Sequence, residues 1–369
     1  MKKMKVALHG AYQGENFGDE LLMYIQSQWI NKLTEFELVM PYAHKVYREQ
    51  IGAGNVKGFE ALKQADKLIY GGGGYFGEPN SKVMKWGGAF FKKKHPIPAE
   101  YFNYKKRPYI INGVGAGPIS NLLTRHEVKR ICNNASRVIV RDEESMEYLT
   151  HYGVKSSKLD VTSDIVLSLN KDENVIKVKD HGLLSPSSSI KNRIGLHMNF
   201  SIKDPTIKRL LDSLIEFFNE REDVEVVLIA DKRNSEAQEK VIEYVGSKLI
   251  HTFKVYRHQD IHITCAILKD IDAVITSKLH VAITSYTFDT PAFSIAKHQK
   301  TKRFFKQINL EECHYDIGNL SEEHIEKLFH FLSKVTESKF AIDYSKKEEL
   351  VNLATKNKYF LENFLISRT

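Results

Sequence analysis

The feature that most constrains this chain is an alternation. Short apolar runs that end at a glycine or a charged turn take turns with longer stretches of helical spacing. Residues 5–9 form such a run, stopped by Gly10, and residues 20–33 then align Leu21, Leu22, Ile25, Trp29 and Leu33 in one stripe. Further strands are expected at residues 37–40, closed by Pro41, and at 67–70, 109–114 and 137–140. The last of these leads into a helix expected over 142–152. Short strands alternating with helices specify βαβ units and a parallel sheet.

Between residues 170 and 192 the pattern breaks. Lys-Asp-Glu-Asn and then Ser185-Pro186-Ser187-Ser188-Ser189 read as an interdomain linker. A second alternating set follows, with strands expected at 193–197, 225–230, 273–276 and 292–296 and closing helices around 322–334 and 346–364. No repeat with a period of about 20 to 50 residues is present. At 369 residues the chain exceeds one ordinary core. The expected architecture is therefore α/β, with two doubly wound parallel-sheet domains facing across a cleft, as in GT-B folds. Residues 1–169 form the N-terminal Rossmann-like domain, 170–192 the linker, and 193–369 the C-terminal Rossmann-like domain with its terminal helices. Ligands of such sheets bind beyond the carboxyl ends of the strands.

Hydrophobic residues make up 42% and charged residues 27%, the balance of a soluble globular protein. The formal net charge of +8 suits an anionic partner such as a phosphorylated substrate, a membrane surface or nucleic acid, or else reflects a host rich in basic proteins. It is concentrated at Lys92-Lys93-Lys94 and Lys105-Lys106-Arg107, runs that are solvated faces unless they meet a partner. No nucleic-acid motif accompanies the charge. Cys132, Cys265 and Cys313 are far apart without metal-ligand spacing, which suits a reducing compartment. The apolar run before Gly10 is too short for a signal peptide, and no run reaches the roughly 18 residues of a membrane helix. A cytoplasmic protein is expected.

Five segments carry candidate chemistry, each where a strand ends. In Asn16-Phe17-Gly18-Asp19-Glu20 a turn opens a helix with two carboxylates, which also suit the helix dipole. Gly71-Gly72-Gly73-Gly74 either lets backbone N–H groups approach a ligand or is a flexible turn. Asn112-Gly113-Val114-Gly115-Ala116-Gly117-Pro118 closes a strand in the same manner. Arg141, followed by Asp142, Glu143 and Glu144, either holds a carboxylate or phosphate through its planar fork or pairs with neighbouring acids. In Ser277-Lys278-Leu279-His280 a strand runs into a helix, with His280 beside the anion-attracting N-terminus.

In this order and spacing the segments, together with Asp164, resemble the polysaccharide pyruvyltransferase family over about residues 10–304. Lys278 stands where the family usually has arginine. Lys300-Thr301-Lys302-Arg303-Phe304 fits a further family pattern without the Tyr-Asp-Pro that precedes it there, so Lys297 is the fallback for the lysine. The resemblance implies transfer of pyruvate from phosphoenolpyruvate to a sugar of a surface or cell-wall polysaccharide precursor, such as an exopolysaccharide. A pyruvate ketal forms and phosphate is released, with no cofactor and no metal.

On that resemblance Asp19, His280 and Arg141 are catalytic. Arg141, His280, Lys300, Ser277, Lys278, Gly73 and Gly74 hold the donor, and Asn16, Asp19 and Glu20 the acceptor. Asp19 is the candidate base, with Glu20 second. The implied partners are phosphoenolpyruvate and a sugar or lipid-linked oligosaccharide, with a peripheral contact at the inner face of the cytoplasmic membrane and no nucleic acid. The rival enzyme of the same fold is a GT-B glycosyltransferase using a nucleotide sugar, and no acidic ribose-binding motif is placed for it. The non-enzyme rival is an inactive family member serving as a binding partner, against which intact Asp19, Arg141 and His280 argue.

Overall fold

The computed structural model describes residues 3–54, 56–78, 94–172, 175–176, 182–184 and 190–367. It divides into two compact units. The first comprises Met1–Glu15, Asp19–Val175 and Glu348–Thr369, and the second comprises Asn16–Gly18 with Ile176–Lys347.

In the first unit the chain runs β1 (Met4–His9), α1 (Phe17–Asn31), β2 (Phe36–Val39), α2 (Lys45–Gln50), α3 (Gly58–Gln64), β3 (Lys67–Tyr70) and β4 (Gly73–Phe76). It continues through α4 (Pro96–Tyr104), β5 (Tyr109–Ala116), α5 (Leu122–Asn134), β6 (Val138–Val140), α6 (Glu143–His151) and β7 (Leu159–Val161). The strands pair in the order β2-β1-β3-β5-β6-β7, with β4 beside β5. Every pairing is parallel. Every residue of β5 is buried, as helices on both faces of a parallel sheet require. Asn121 and Asp142 cap α5 and α6 by accepting from the Thr124 and Ser145 amides.

The second unit repeats the plan with β8 (Asn192–His197), α7 (Pro205–Asn219), β9 (Val224–Ala230), α8 (Glu236–Gly246), β10 (Phe253–Arg257) and α9 (Ile261–Asp270). Then come β11 (Ala273–Thr276), α10 (Leu279–Thr287), β12 (Ala292–Ala296), α11 (Gln299–Gln307), β13 (His314–Asp316) and α12 (Glu322–Thr336). The order is β10-β9-β8-β11-β12-β13. Strand succession therefore reverses between β8 and β11 here, and between β1 and β3 in the first unit.

The expected second domain ran to the C-terminus, and the structure corrects this. From Glu348 onward the last helix, α13 (Tyr344–Ile366), packs in the first unit. Asn357 donates to the Ser163 carbonyl at 3.1 Å and accepts from the Thr162 hydroxyl at 3.0 Å. Buried Lys67 donates to the carbonyls of Phe364, Leu365 and Ser367 at 2.7, 2.9 and 2.8 Å, satisfying groups that a helix end leaves open. The expected linker lies partly outside the described residues. Cys132, Cys265 and Cys313 are buried free thiols.

Candidate functional site

The reversal between β8 and β11 is where a doubly wound sheet binds its ligands. His197 ends β8 and Thr276 ends β11, both fully buried. The Ser277 amide donates to the His197 carbonyl at 3.1 Å, and the Asn199 amide donates to Ser277 Oγ at 2.9 Å. Ser277 and Lys278 thus form the turn from β11 into α10, and His280 lies in the first turn of that helix.

Cations gather at the same carboxyl edge. Burial pushes the His298 imidazole down to about 4, and Lys300, Lys278 and Lys297 add to the shift. All three lysines therefore act on one half-buried histidine. Lys297 and Lys300 are exposed, and the Lys297 ammonium stands 5.7 Å from the centre of the Phe200 ring. Both alternatives for the donor lysine lie in this one cluster.

Asn16–Gly18 also belong to the second unit. Asn16 forms an antiparallel bridge with Lys232, and the Phe17 amide donates to the Asp231 carbonyl at 2.8 Å. The buried Phe17 ring meets His258 edge-on, with centroids 5.5 Å apart. Gly18 faces His280 so closely that a Cβ there would stand 2.3 Å from Nδ1. This approach explains the glycine in Asn16-x-Gly18, and it brings the first and last motifs of the sequence together.

Asp19, one peptide bond on, and Glu20 belong to the first unit, in the first turn of α1. Asp19 is half-buried and Glu20 buried. Burial raises the Tyr12 hydroxyl well above its ordinary value, and the Asp19 charge adds to the shift. Arg141 follows β6 and is buried. Its guanidinium donates to Asp164 at 3.1 Å and lies 3.7 Å from Asp142. The pairing alternative for Arg141 is thus present in the fold. Gly115 makes room for it, because a Cβ there would come within 2.8 Å of the guanidinium.

The Gly71–Gly74 run, read as either a close backbone approach to a ligand or a flexible turn, contributes Gly73 and Gly74 to β4, with Gly73 buried and Gly74 exposed. Lys92 and Lys93 lie outside the described residues. Among Lys105, Lys106 and Arg107, only the two lysines are exposed, and Arg107 donates to the Lys63 and Ala65 carbonyls.

Sequence reasoning missed His197, Asp231, Gln238 and His298, and took Thr276 only as the strand residue before Ser277. His197 and Thr276 are the last residues of apolar strands, Asp231 directly follows one, and His298 lies two residues beyond another. A polar residue in that position is itself a signal, because strand ends are where such sheets bind.

Two doubly wound parallel-sheet units, with motif residues at their carboxyl ends, define a GT-B-type α/β protein. Solved structures agree on the fold. A putative UDP-N-acetylglucosamine 2-epimerase from Listeria monocytogenes has a TM-score of 0.66 at 12% identity, covering 100% of this chain and 98% of that one. The UDP-GlcNAc 2-epimerase of Methanocaldococcus jannaschii has a TM-score of 0.67 at 10% identity, with 99% and 100% covered. That of Neisseria meningitidis, bound to UDP-GlcNAc, has a TM-score of 0.64 at 12% identity, with 99% and 100% covered. No curated protein matches the sequence. The polysaccharide pyruvyl transferase family model matches residues 16–298, most of the chain, and the chain belongs to that family.

Proposed function

We propose that this chain transfers pyruvate from phosphoenolpyruvate to a sugar of a surface or cell-wall polysaccharide precursor. The observation that carries the reading is that Lys278 follows the carboxyl end of β11 while Lys297 and Lys300 follow that of its parallel neighbour β12. A donor with a phosphate and a carboxylate needs several cations. Lysines supply point charges there, and the amide-rich start of α10 adds its dipole.

In the reaction the donor's C3 takes a proton from solvent and C2 becomes electrophilic. One sugar hydroxyl adds to C2 and gives its proton to a base, for which Asp19 is our candidate and which returns that proton to solvent. The C2–O bond to phosphate breaks, a second hydroxyl closes the ketal, and its proton leaves with the phosphate. His280 and Ser277 would contact the donor or the departing phosphate. Asn16 and Glu20 would flank the acceptor hydroxyls, and Gly73 and Gly74 would offer backbone N–H groups. Arg141 would take a donor carboxylate or phosphate in exchange for Asp142 or Asp164.

The acceptor is a sugar or a lipid-linked oligosaccharide met at the inner face of the cytoplasmic membrane. Lys105 and Lys106, beside a Tyr104 that is 79% exposed, are the residues we assign to that surface. Among the described residues no helix is long and apolar enough to cross a membrane. Incubation with phosphoenolpyruvate and candidate sugars, followed by phosphate release, tests the proposal. A thermal shift with a UDP-sugar and none with phosphoenolpyruvate would replace it with the glycosyltransferase reading.

A further inference from the structure

We propose that the buried chain Asp231–His197–Thr276 is a positioning device that holds residues 16–18 and 277–280 in place together. Its kinetic consequences rest on the donor assignment above, but its structural consequences do not. Asp231 works in two directions. Its carboxylate, 3% exposed, meets His197 Nε2 at 3.0 Å and accepts from the Gln238 amide. Its main-chain carbonyl accepts from the Phe17 amide at 2.8 Å. The far side of the imidazole, Nδ1, meets Thr276 Oγ1 at 3.0 Å, and the Lys278 amide donates to that same oxygen at 3.0 Å.

One proton arrangement satisfies the whole chain. Nε2–H donates to Asp231, the Thr276 hydroxyl donates to Nδ1, and a Thr276 lone pair accepts the Lys278 amide. Burial would raise the Asp231 carboxyl, but His197, Lys278 and Gln238 outweigh it and hold the group below its ordinary range. A buried carboxylate–imidazole contact contributes little net stability, so a role in fixing one conformation accounts for its presence here. His197 and Asp231 act through the turn that presents Ser277, Lys278 and His280, and are positioning residues.

Thr276→Val removes the hydroxyl at nearly constant volume, and Thr276→Ser keeps it. Both are compared with Asp231→Asn in the full chain. The primary readout is amide hydrogen exchange at Lys278 and Phe17 without ligand. Thr276→Val is expected to speed exchange at Lys278 and to weaken phosphoenolpyruvate binding, each about tenfold, and Thr276→Ser to restore both. Asp231→Asn is expected to speed exchange at Lys278 and Phe17 together. Parent-like exchange at Lys278 in Thr276→Val would overturn the proposal, as would a Thr276→Ser defect equal to that of valine. If Thr276→Val fails to fold, unchanged exchange in Asp231→Asn overturns it equally. If exchange responds as expected while the parent chain binds no phosphoenolpyruvate, the donor assignment fails and the positioning chain stands.

Discussion

Replacing Gly18 with alanine puts a carbon where His280 already is. The added Cβ would lie 2.3 Å from Nδ1 and 2.7 Å from both Cβ and Cγ of that residue. Carbons in good contact stand about 3.5 to 4.0 Å apart, so something must move by about an ångström. A change of rotamer does not suffice, because the His280 Cβ is fixed by α10. Overpacking of this kind costs about 1 to 3 kcal/mol. For a unit of this size that corresponds to a fall in melting temperature of about 2 to 12 °C. The partner substitution decides the cause. His280→Ala leaves the offending Cβ in place, so His280→Gly is required, at about 0.5 to 1 kcal/mol for glycine within a helix. The expected result is that Gly18→Ala is costly in the parent and nearly neutral in the His280→Gly background. Thermal and urea unfolding of the parent, both single variants and the double variant measures this. Costs that add to within about 0.5 kcal/mol would refute the contact as the reason for the glycine.

Three further outcomes are expected. Asp19→Asn should leave donor binding almost intact while turnover falls by about 10² to 10⁴, the range for a lost general base, whereas His280→Ala should weaken donor binding as well; calorimetric titration and phosphate release separate the two. Burial pushes His9 down to about 3 from an ordinary 6.5, so between these values the unfolded chain binds the extra proton and stability falls as pH is lowered, by up to about 4 to 5 kcal/mol. His9, which meets His95 at 2.9 Å and packs edge-on against Tyr42 and Tyr70, should lose the part of this sensitivity that develops by pH 4, about 3 kcal/mol, as His9→Gln, read from urea midpoints between pH 7 and 4. Lys67→Met leaves three terminal carbonyls of α13 without their ammonium donor and should cost about 2 to 3 kcal/mol, with limited proteolysis freeing the C-terminal segment first.

The central strands were legible because burial on both faces makes them continuous apolar runs. The expected spans at 67–70, 273–276 and 292–296 coincide with β3, β11 and β12. β7 and β13 escaped notice because each is only three residues long and half-buried, and β10 because it is half-exposed. β4 was hidden by its own glycines, which have no side chain to show a pattern. The return of α13 to the first unit could not be read, since an amphipathic stripe shows that a helix packs but not against which core. The grouping of Asn16–Gly18 with the second unit rests on main-chain bonds to Asp231 and Lys232, which leave no mark on composition. His197 and Asp231 were passed over as ends of apolar runs. The five motif segments themselves were legible because composition changes sharply where each strand stops.

Titration of phosphoenolpyruvate into the purified chain, with and without Lys278→Met and Lys300→Met, tests the central claim most directly. The account predicts saturable binding in the parent, weakened in each variant, with phosphate released once an accepting sugar is added. Absence of binding to the parent, alongside saturable binding of a UDP-sugar, would contradict it.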